Sequence, residues 1–538
     1  MIRYIFLLTL LITAIFGCRA SETSVIPADG AAETADTISD SGCADMLGDH
    51  LVARPVAPDS ADVALLSHKA FWRASAETVG MNLGLWAFDR YIQKGAFAYI
   101  SWETIKENFR HGFEWDNDHL STNMFAHPYN GSIFYNAGRS NGFNYWQSTL
   151  FAIGGSAMWE MFMEKEYPST NDIIATPIGG AALGEVFYRT SDILLDDRSR
   201  GGERFGRELA AFIIDPMRGF TRLVTGRAWR HRATSGRRFG IPEVAIRFSL
   251  GARGLSLHSM YSDELIGGLT GRVDIEYGDR FAMTQHSPYD YFSFRLDADI
   301  MPEQPVLSCI EIIGRLLTHP LVDTPTTDLN LGLYQHFDFF DSDTITTFHP
   351  FVLEGCQVPY KFGTPASIGG GLMYRYLRCG SWRLDSYFHA NAVLLGGILS
   401  DFYRYYHRNY NWGMGFSIKG GVSWRMPSER VKVSLDARFY RLYTLNGRVE
   451  DPDAPPLRPD NIQGDKSNSS FFNLSLQMDY RIWHRIYGTL QLEWLRRYAF
   501  YPGRFVPIDS PSFPAYGVGS PIISNNKLSF KLMLTYEM

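Results

Sequence analysis

Charge is scarce in this chain. Asp, Glu, Lys and Arg make up 20% of its 538 residues, against 14% for Phe, Trp and Tyr. The formal net charge is −6 and no basic patch stands out, which argues against nucleic acid as a partner. Long apolar runs are missing as well. The best helical candidate, residues 145–163, is interrupted by Gln147 and Glu160, and the mean hydropathy is slightly negative. A bundle of membrane-crossing helices would be greasier. Cysteine is rare, with five residues and no Cys-x-x-Cys or Cys/His spacing of the kind zinc requires. Cys356 and Cys379 flank a strand-like stretch. At about 3.3 Å per residue a dozen residues carry their Cα atoms far beyond disulfide reach, so no disulfide is expected between them.

The chain begins with Arg3, an apolar run from Ile5 to Phe16, and Gly17-Cys18. The run is too short to cross a bilayer and reads as the core of a signal peptide over residues 1–20. Gly-Cys makes Cys18 the candidate lipidated residue. Cleavage after Ala20 and an uncleaved anchor are the alternatives. Residues 21–50 hold seven acids and no Lys or Arg, so 21–59 is read as an acidic, disordered linker.

From about residue 240 to 538 the chain is written in period two. In "LTGRVDIEY" (269–277), Leu269, Val273, Ile275 and Tyr277 share one face, while Arg272, Asp274 and Glu276 share the other. "FSFRLDADI" (292–300) and "FNLSLQMDYRI" (472–482) repeat the pattern. Successive side chains of a strand point to opposite faces, so these are two-faced strands. Their length, the Tyr, Trp and Phe near their ends, and the mixture of short and long connections favour a transmembrane barrel over a soluble sandwich. The connections suggest short periplasmic turns and long outer loops, with "PEQP" among the short ones and 278–290 among the long ones. About thirteen strand candidates are visible. An even number is required, so twelve are expected, with fourteen allowed. The polar face, with Arg272, Asp297, Asp299, Arg438, Asp479 and Glu493 among others, interleaves both signs. It predicts a lumen braced by ion pairs rather than single-sign selectivity rings.

Residues 60–235 read as a helical domain, with helices near 119–126, 130–140, 143–165 and 171–195 in its centre. The fold class is therefore α+β: an N-terminal α-helical domain followed by a C-terminal antiparallel transmembrane β-barrel. Ser169, Asn171 and Asp172 are candidate caps of the last central helix. Gly180 and Gly184 form a small-xxx-small pair that lets helices approach closely.

The stretches "HPYNGSIFYNAGRSNGFNYW", "WEMFMEKEYPSTNDIIATPIGGAALGE" and "YRTSDILLDD", within residues 114–197, resemble the domain of unknown function 3943 family. The resemblance implies an envelope location in Gram-negative bacteria and brings no activity. A looser resemblance links Asp118-His119 or His127, Glu160, and Asp172 ahead of Gly179-Gly180 to VanZ-like and related small lipoprotein families.

Ionisable residues among aromatic and small residues are costly unless paired. On the functional reading His127 is a base, Glu160 its partner and Asp172 a further acid. Arg139, Ser169 and Asn171 would then bind an anionic head group. On the structural reading His127 and Glu160 pair with each other or with Arg139 and lock helices together. Metal binding is disfavoured, because the four residues of "DNDH" (116–119) cannot all reach one ion without a loop around it. No cofactor is expected. Three functions compete: a binding or transport barrel with a helical plug, a membrane-bound hydrolase or transferase acting on lipid or cell-wall material, and a structural or assembly role. The first is preferred. The expected location is the outer membrane, with lipid as partner and the helical domain on the periplasmic side or in the lumen.

Overall fold

The computed structural model describes residues 55–258, 263–282, 287–343, 345–349, 352–378, 382–449, 461–503 and 522–538. The signal peptide, Cys18, nearly all of the acidic linker, and the side chains of Cys356 and Cys379 lie outside the described residues.

The C-terminal part forms strands β1 (Val244–His258), β2 (Asp263–Tyr277), β3 (Phe292–Ile300), β4 (Leu307–Asp323), β5 (Thr327–Phe340), β6 (Ile345–His349), β7 (Val352–Gln357) and β8 (Phe362–Arg378). They are followed by β9 (Trp382–Leu399), β10 (Tyr410–Arg425), β11 (Val431–Tyr443), β12 (Gly447–Arg448), β13 (Gly464–Asp465), β14 (Asn468–Trp483), β15 (Ile486–Phe500) and β16 (Ile522–Glu537). Twelve of them close into a barrel in the order β1-β16-β15-β14-β11-β10-β9-β8-β5-β4-β3-β2. The hairpin β6–β7 and the short parallel pair β12–β13 stand outside it.

The alternation decides the faces. Leu250, Leu269 and Leu532 point outward and stay 69%, 59% and 62% exposed, while Arg253, Arg272 and Lys531 point inward and are buried. A soluble sandwich would bury the apolar face. This barrel presents it, which is the transmembrane arrangement.

One end of the barrel carries the long connections 341–361, 400–409, 444–467 and 501–521, and the other the turns 324–326, 379–381, 426–430 and 484–485. Three connections break the expected rhythm, the first being the four-residue link between β1 and β2 at the long-loop end. The turn at 301–306, which contains "PEQP", lies at the long-loop end, and the long connection 278–291 lies at the short-turn end. The latter is long because it docks on the helices: Arg189 Nη2 donates to Ser287 Oγ (2.7 Å) and Pro288 O (2.9 Å).

The lumen is crossed by side chains. Arg438 on β11 pairs with Glu311 on β4 at 2.6 Å, although five strand pairings separate them. Arg272 on β2 holds Asp297 (2.6 Å) and donates to Gln491 on β15 (2.6 Å) and Gln477 on β14 (3.2 Å). Lys531 also reaches Asp297, and Lys419 bridges Asp338 (2.6 Å) and His336 (3.0 Å). A lumen cavity lined by Arg253, Arg272, Asp297, Glu311 and Lys531 amounts to about 10 Å³, on the order of one water.

The helices are α1 (Ser60–Leu66), α2 (Phe71–Ala87), α3 (Trp102–His111), α4 (His127–Ser140), α5 (Tyr145–Phe162), α6 (Asp172–Leu194), α7 (Gly201–Ile214) and α8 (Pro216–Val224). None is long and apolar enough to cross a membrane among the described residues. Of the two expected arrangements, a plug in the lumen and packing against the barrel, the helices adopt the second: the central ones lie against the outside of the barrel wall. Ile246, Ile275, Phe294, Ile312 and Phe337 are successive ladder partners from β1 to β5, and all face outward. Ala366 and Leu395 extend the row onto β8 and β9. All seven are buried in one core with Phe134, Tyr135, Ala181 and Leu183 of α4 and α6. The outward Gln335 is satisfied by the helices: Tyr145 Oη donates to Oε1 (2.5 Å), and Nε2 donates to Ile178 O (2.9 Å).

Candidate functional site

Three glycines set the geometry of the helical layer. A Cβ on Gly180 would lie 2.5 Å from the Gly131 carbonyl carbon, and one on Gly131 would lie 1.9 Å from Thr176 O. Gly184 packs against Tyr135 in the same way. The offset between facing residues is nearly constant, so α4 and α6 run parallel. Their first turns lie at one end of the layer, where α4 continues a π-helical turn over Thr122–Ala126. His127 opens α4 and is followed by Pro128, whose fixed φ suits a first turn. Asp172 opens α6.

These two residues come together. His127 Nε2 lies 3.8 Å from Asp172 Oδ2. Glu160, near the end of the antiparallel α5, faces the same place and accepts a hydrogen bond from Ser169 N at 2.7 Å. Glu160 and Asp172 are 1% and 3% exposed. The loop before α4 covers the cluster. Asp116 N donates to Asn171 Oδ1 (2.9 Å), and Arg408, Tyr403 and Tyr410 of the barrel hold the loop at Asp116 O, Asn117 Oδ1 and Asp118 O. The site therefore sits at the long-loop end of the barrel. One ligand atom each from Asp116, Asp118 and His127 lie within 4.8 Å of one another.

The electrostatics follow from burial and like charge. Burial, with Asp172 nearby, pushes Glu160 up to about 8. Burial pushes Asp172 up to about 7, against the pull of His127. Burial alone would lower His127, but Asp172, Glu160, Asp116 and Asp118 together hold it above its ordinary value. Four carboxylates thus surround one imidazole.

Other expected site residues play different parts. Asn171 already has helical φ and ψ and makes no side-chain cap bond. Its amide instead bridges Asp172 (2.9 Å), Ser169 (2.9 Å) and the loop. Arg139 stands twelve residues along α4 from His127, about 18 Å away. It pairs with Glu185 at 2.7 Å, as does Arg189, and Tyr135 donates to the same carboxylate. It is a buried helix lock, not a clamp at the His127 site. Glu185 and Arg189 were not singled out in the sequence, because a Glu and an Arg four residues apart on one helix resemble any surface pair. Asp116 and Asp118 were visible in "DNDH", but the fold completes them with His127 rather than with their neighbours.

The whole cluster lies inside one matched segment. Residues 112–217 match the family described as Domain of unknown function (DUF3943). The match agrees with the resemblance read over 114–197. No curated protein matches the chain. Among solved structures, the Pseudomonas putida toluene transporter TodX is similar at 7% identity, with 55% of this chain and 89% of that chain covered and a TM-score of 0.21. The outer membrane channel DcaP of Acinetobacter baumannii is similar at 9% identity, with 55% and 97% covered and a TM-score of 0.21. At such overlap the barrel assignment rests on the strand register itself.

Proposed function

We propose that this protein is an outer-membrane β-barrel protein with a binding role in the cell envelope. Its barrel is a closed scaffold, and its ligand is a divalent metal ion held at the loop-end cluster. The observation that carries this is the convergence of Asp116, Asp118 and His127, backed by the buried Glu160 and Asp172. Two ligands at about 2.0–2.2 Å from an ion stand at most about 4.4 Å apart, so the 4.8 Å spread needs only a small closure. The exposed apolar wall supports the membrane location, with lipid as partner. The ion pairs across the lumen argue against a transport path through it.

The test is metal content of the full chain purified in detergent and dialysed against zinc or manganese. One bound ion is expected, lost in Asp118→Asn and His127→Ala while the barrel stays folded. Metal content of the wild type no higher than that of these two variants would sink the reading. A second reading, a membrane-bound hydrolase or transferase, is favoured by one observation: Glu160 and Asp172 change protonation near neutral pH beside an imidazole. Turnover of a lipid or cell-wall substrate that Asp172→Asn abolishes without loss of metal would bring that reading forward.

A further inference from the structure

The helical layer has its polarity inside out. Arg139, Glu185, Arg189, Asp192 and Arg218 are almost completely buried between its helices. Its outer surface is apolar: Trp146, Leu150, Ile153 and Phe162 line the outward side of α5, with Leu150 65% exposed, and Trp72, Val79 and Leu83 line α2. A domain standing in water arranges these groups the other way round, because buried charge is costly and exposed apolar area unfavourable. In hydrocarbon the preference reverses. Ionisable groups face the bundle interior, and small residues bring the helices together.

The neighbourhood of the layer points the same way. The covered row from Ile246 to Leu395 crosses the wall from the turn end of β1 to the loop end of β9, and bare apolar wall borders it on opposite sides at its two ends. Leu250, Leu269 and Ile300 lie on its loop side, and Leu317, Leu331, Phe388 and Ile418 lie on its turn side, all exposed. A layer seated between two lipid-facing stretches cannot stand clear of the lipid. Its height fits as well: α6 is not apolar enough to cross a membrane alone, but its charged side chains are buried among its neighbours, and its 23 residues measure about 34 Å at 1.5 Å per residue, against a hydrocarbon core of about 30 Å. At the short-turn end the amphipathic α7 exposes Phe205, Leu209 and Phe212 on one side while Arg204 and Glu208 pair on the other, as a helix lying among head groups does.

We propose that acyl chains of the outer membrane cover the outward faces of α2 and α5 as they cover the free barrel wall, so that the helical layer is a lipid-binding surface within the bilayer plane. This rests on the membrane-barrel reading above. The test places a nitroxide on the full chain, reconstituted in phospholipid vesicles, at Leu150→Cys, at Leu532→Cys on the bare wall, and at Glu103→Cys on the polar side of α3. Expected is the same excess of relaxation by oxygen over a water-soluble nickel chelate at positions 150 and 532, and the opposite at 103. Nickel access at 150 with oxygen access at 532 would overturn the proposal and leave the barrel reading intact. Nickel access at both would overturn the barrel reading itself. Trp146 and Trp72 give a second readout in the unlabelled protein. Quenching by brominated acyl chains is expected, and a smaller quenched fraction in Trp146→Phe and Trp72→Phe than in the wild type assigns that part of it to this face.

Discussion

At the residue scale, two buried groups of charges behave oppositely. Glu185 is fully paired: two guanidinium groups and the Tyr135 hydroxyl occupy its oxygens. Glu185→Gln leaves Arg139 and Arg189 buried without a counter-charge, which costs about 3–5 kcal/mol. Thermal or denaturant unfolding followed by the helical signal is expected to register that loss. The His127 cluster is under-compensated instead. Glu160 and Asp172 keep their protons in the folded chain up to about 8 and 7, against ordinary values of 4.5 and 3.8. The folded state then binds more protons than the unfolded one across that interval, so stability falls as pH rises through it. His127, raised by its four carboxylates, has the same sign: its contribution is complete below its ordinary 6.5 and is lost as pH rises through its folded value. The metal-free chain is therefore expected to melt higher at pH 5 than at pH 8. Glu160→Gln with Asp172→Asn should flatten that difference, and added zinc should restore stability at pH 8. Equal melting at both pH values in the wild-type chain would contradict the cluster's charge balance.

At the element scale, α4 and α6 meet through glycine. Gly180 has no room for a side chain, because its Cβ would collide with the backbone of Gly131. Gly180→Val is expected to part the two helices and to cost about 1–3 kcal/mol or more through overpacking. It should also disturb the His127 site, since both N-termini move with it. Gly154 on α5 is the control. Nothing lies within 4 Å of its Cβ position, and Gly154→Ala should be neutral or stabilising by up to about 1 kcal/mol. Protease resistance of the helical layer in the two variants separates the cases. Gly180 and Gly184 were legible as a contact motif, whereas Gly154 and Gly155 looked alike. Only packing distinguishes the last two: a Cβ on Gly155 would meet the Phe134 ring at 2.5 Å.

At the scale of the whole molecule, the barrel reads as a wall and a scaffold. Side chains from β2, β3, β4, β11, β14, β15 and β16 meet across the lumen. The wild-type protein in a planar bilayer is expected to show no stable open conductance, while Arg272→Ala with Arg438→Ala removes two cross-lumen braces and raises the frequency of transient openings. Steady, porin-like conductance of the wild type would restore the transport reading and move the search for function back into the lumen.

Period-two alternation by itself determined which residues of each strand share a face, and with strand length it marked out a membrane barrel; parity narrowed about thirteen candidates to twelve with fourteen still allowed, and the strand register settled the number at twelve. Helical periodicity placed the central helices close to their observed limits, and the concentration of His, Glu and Asp marked out the segment of the site. The tertiary structure decided the rest. It assigned Arg139 to Glu185 and Asp118 to His127, because which charges meet depends on helix direction and rotation rather than on spacing along the chain. It also decided that the helices stand against the outer wall. The sequence left packing against the barrel and plugging it both open for a physical reason: an outward Ile246 or Phe337 is apolar whether it meets a lipid chain or another helix, so the covered and the bare parts of the wall carry the same pattern.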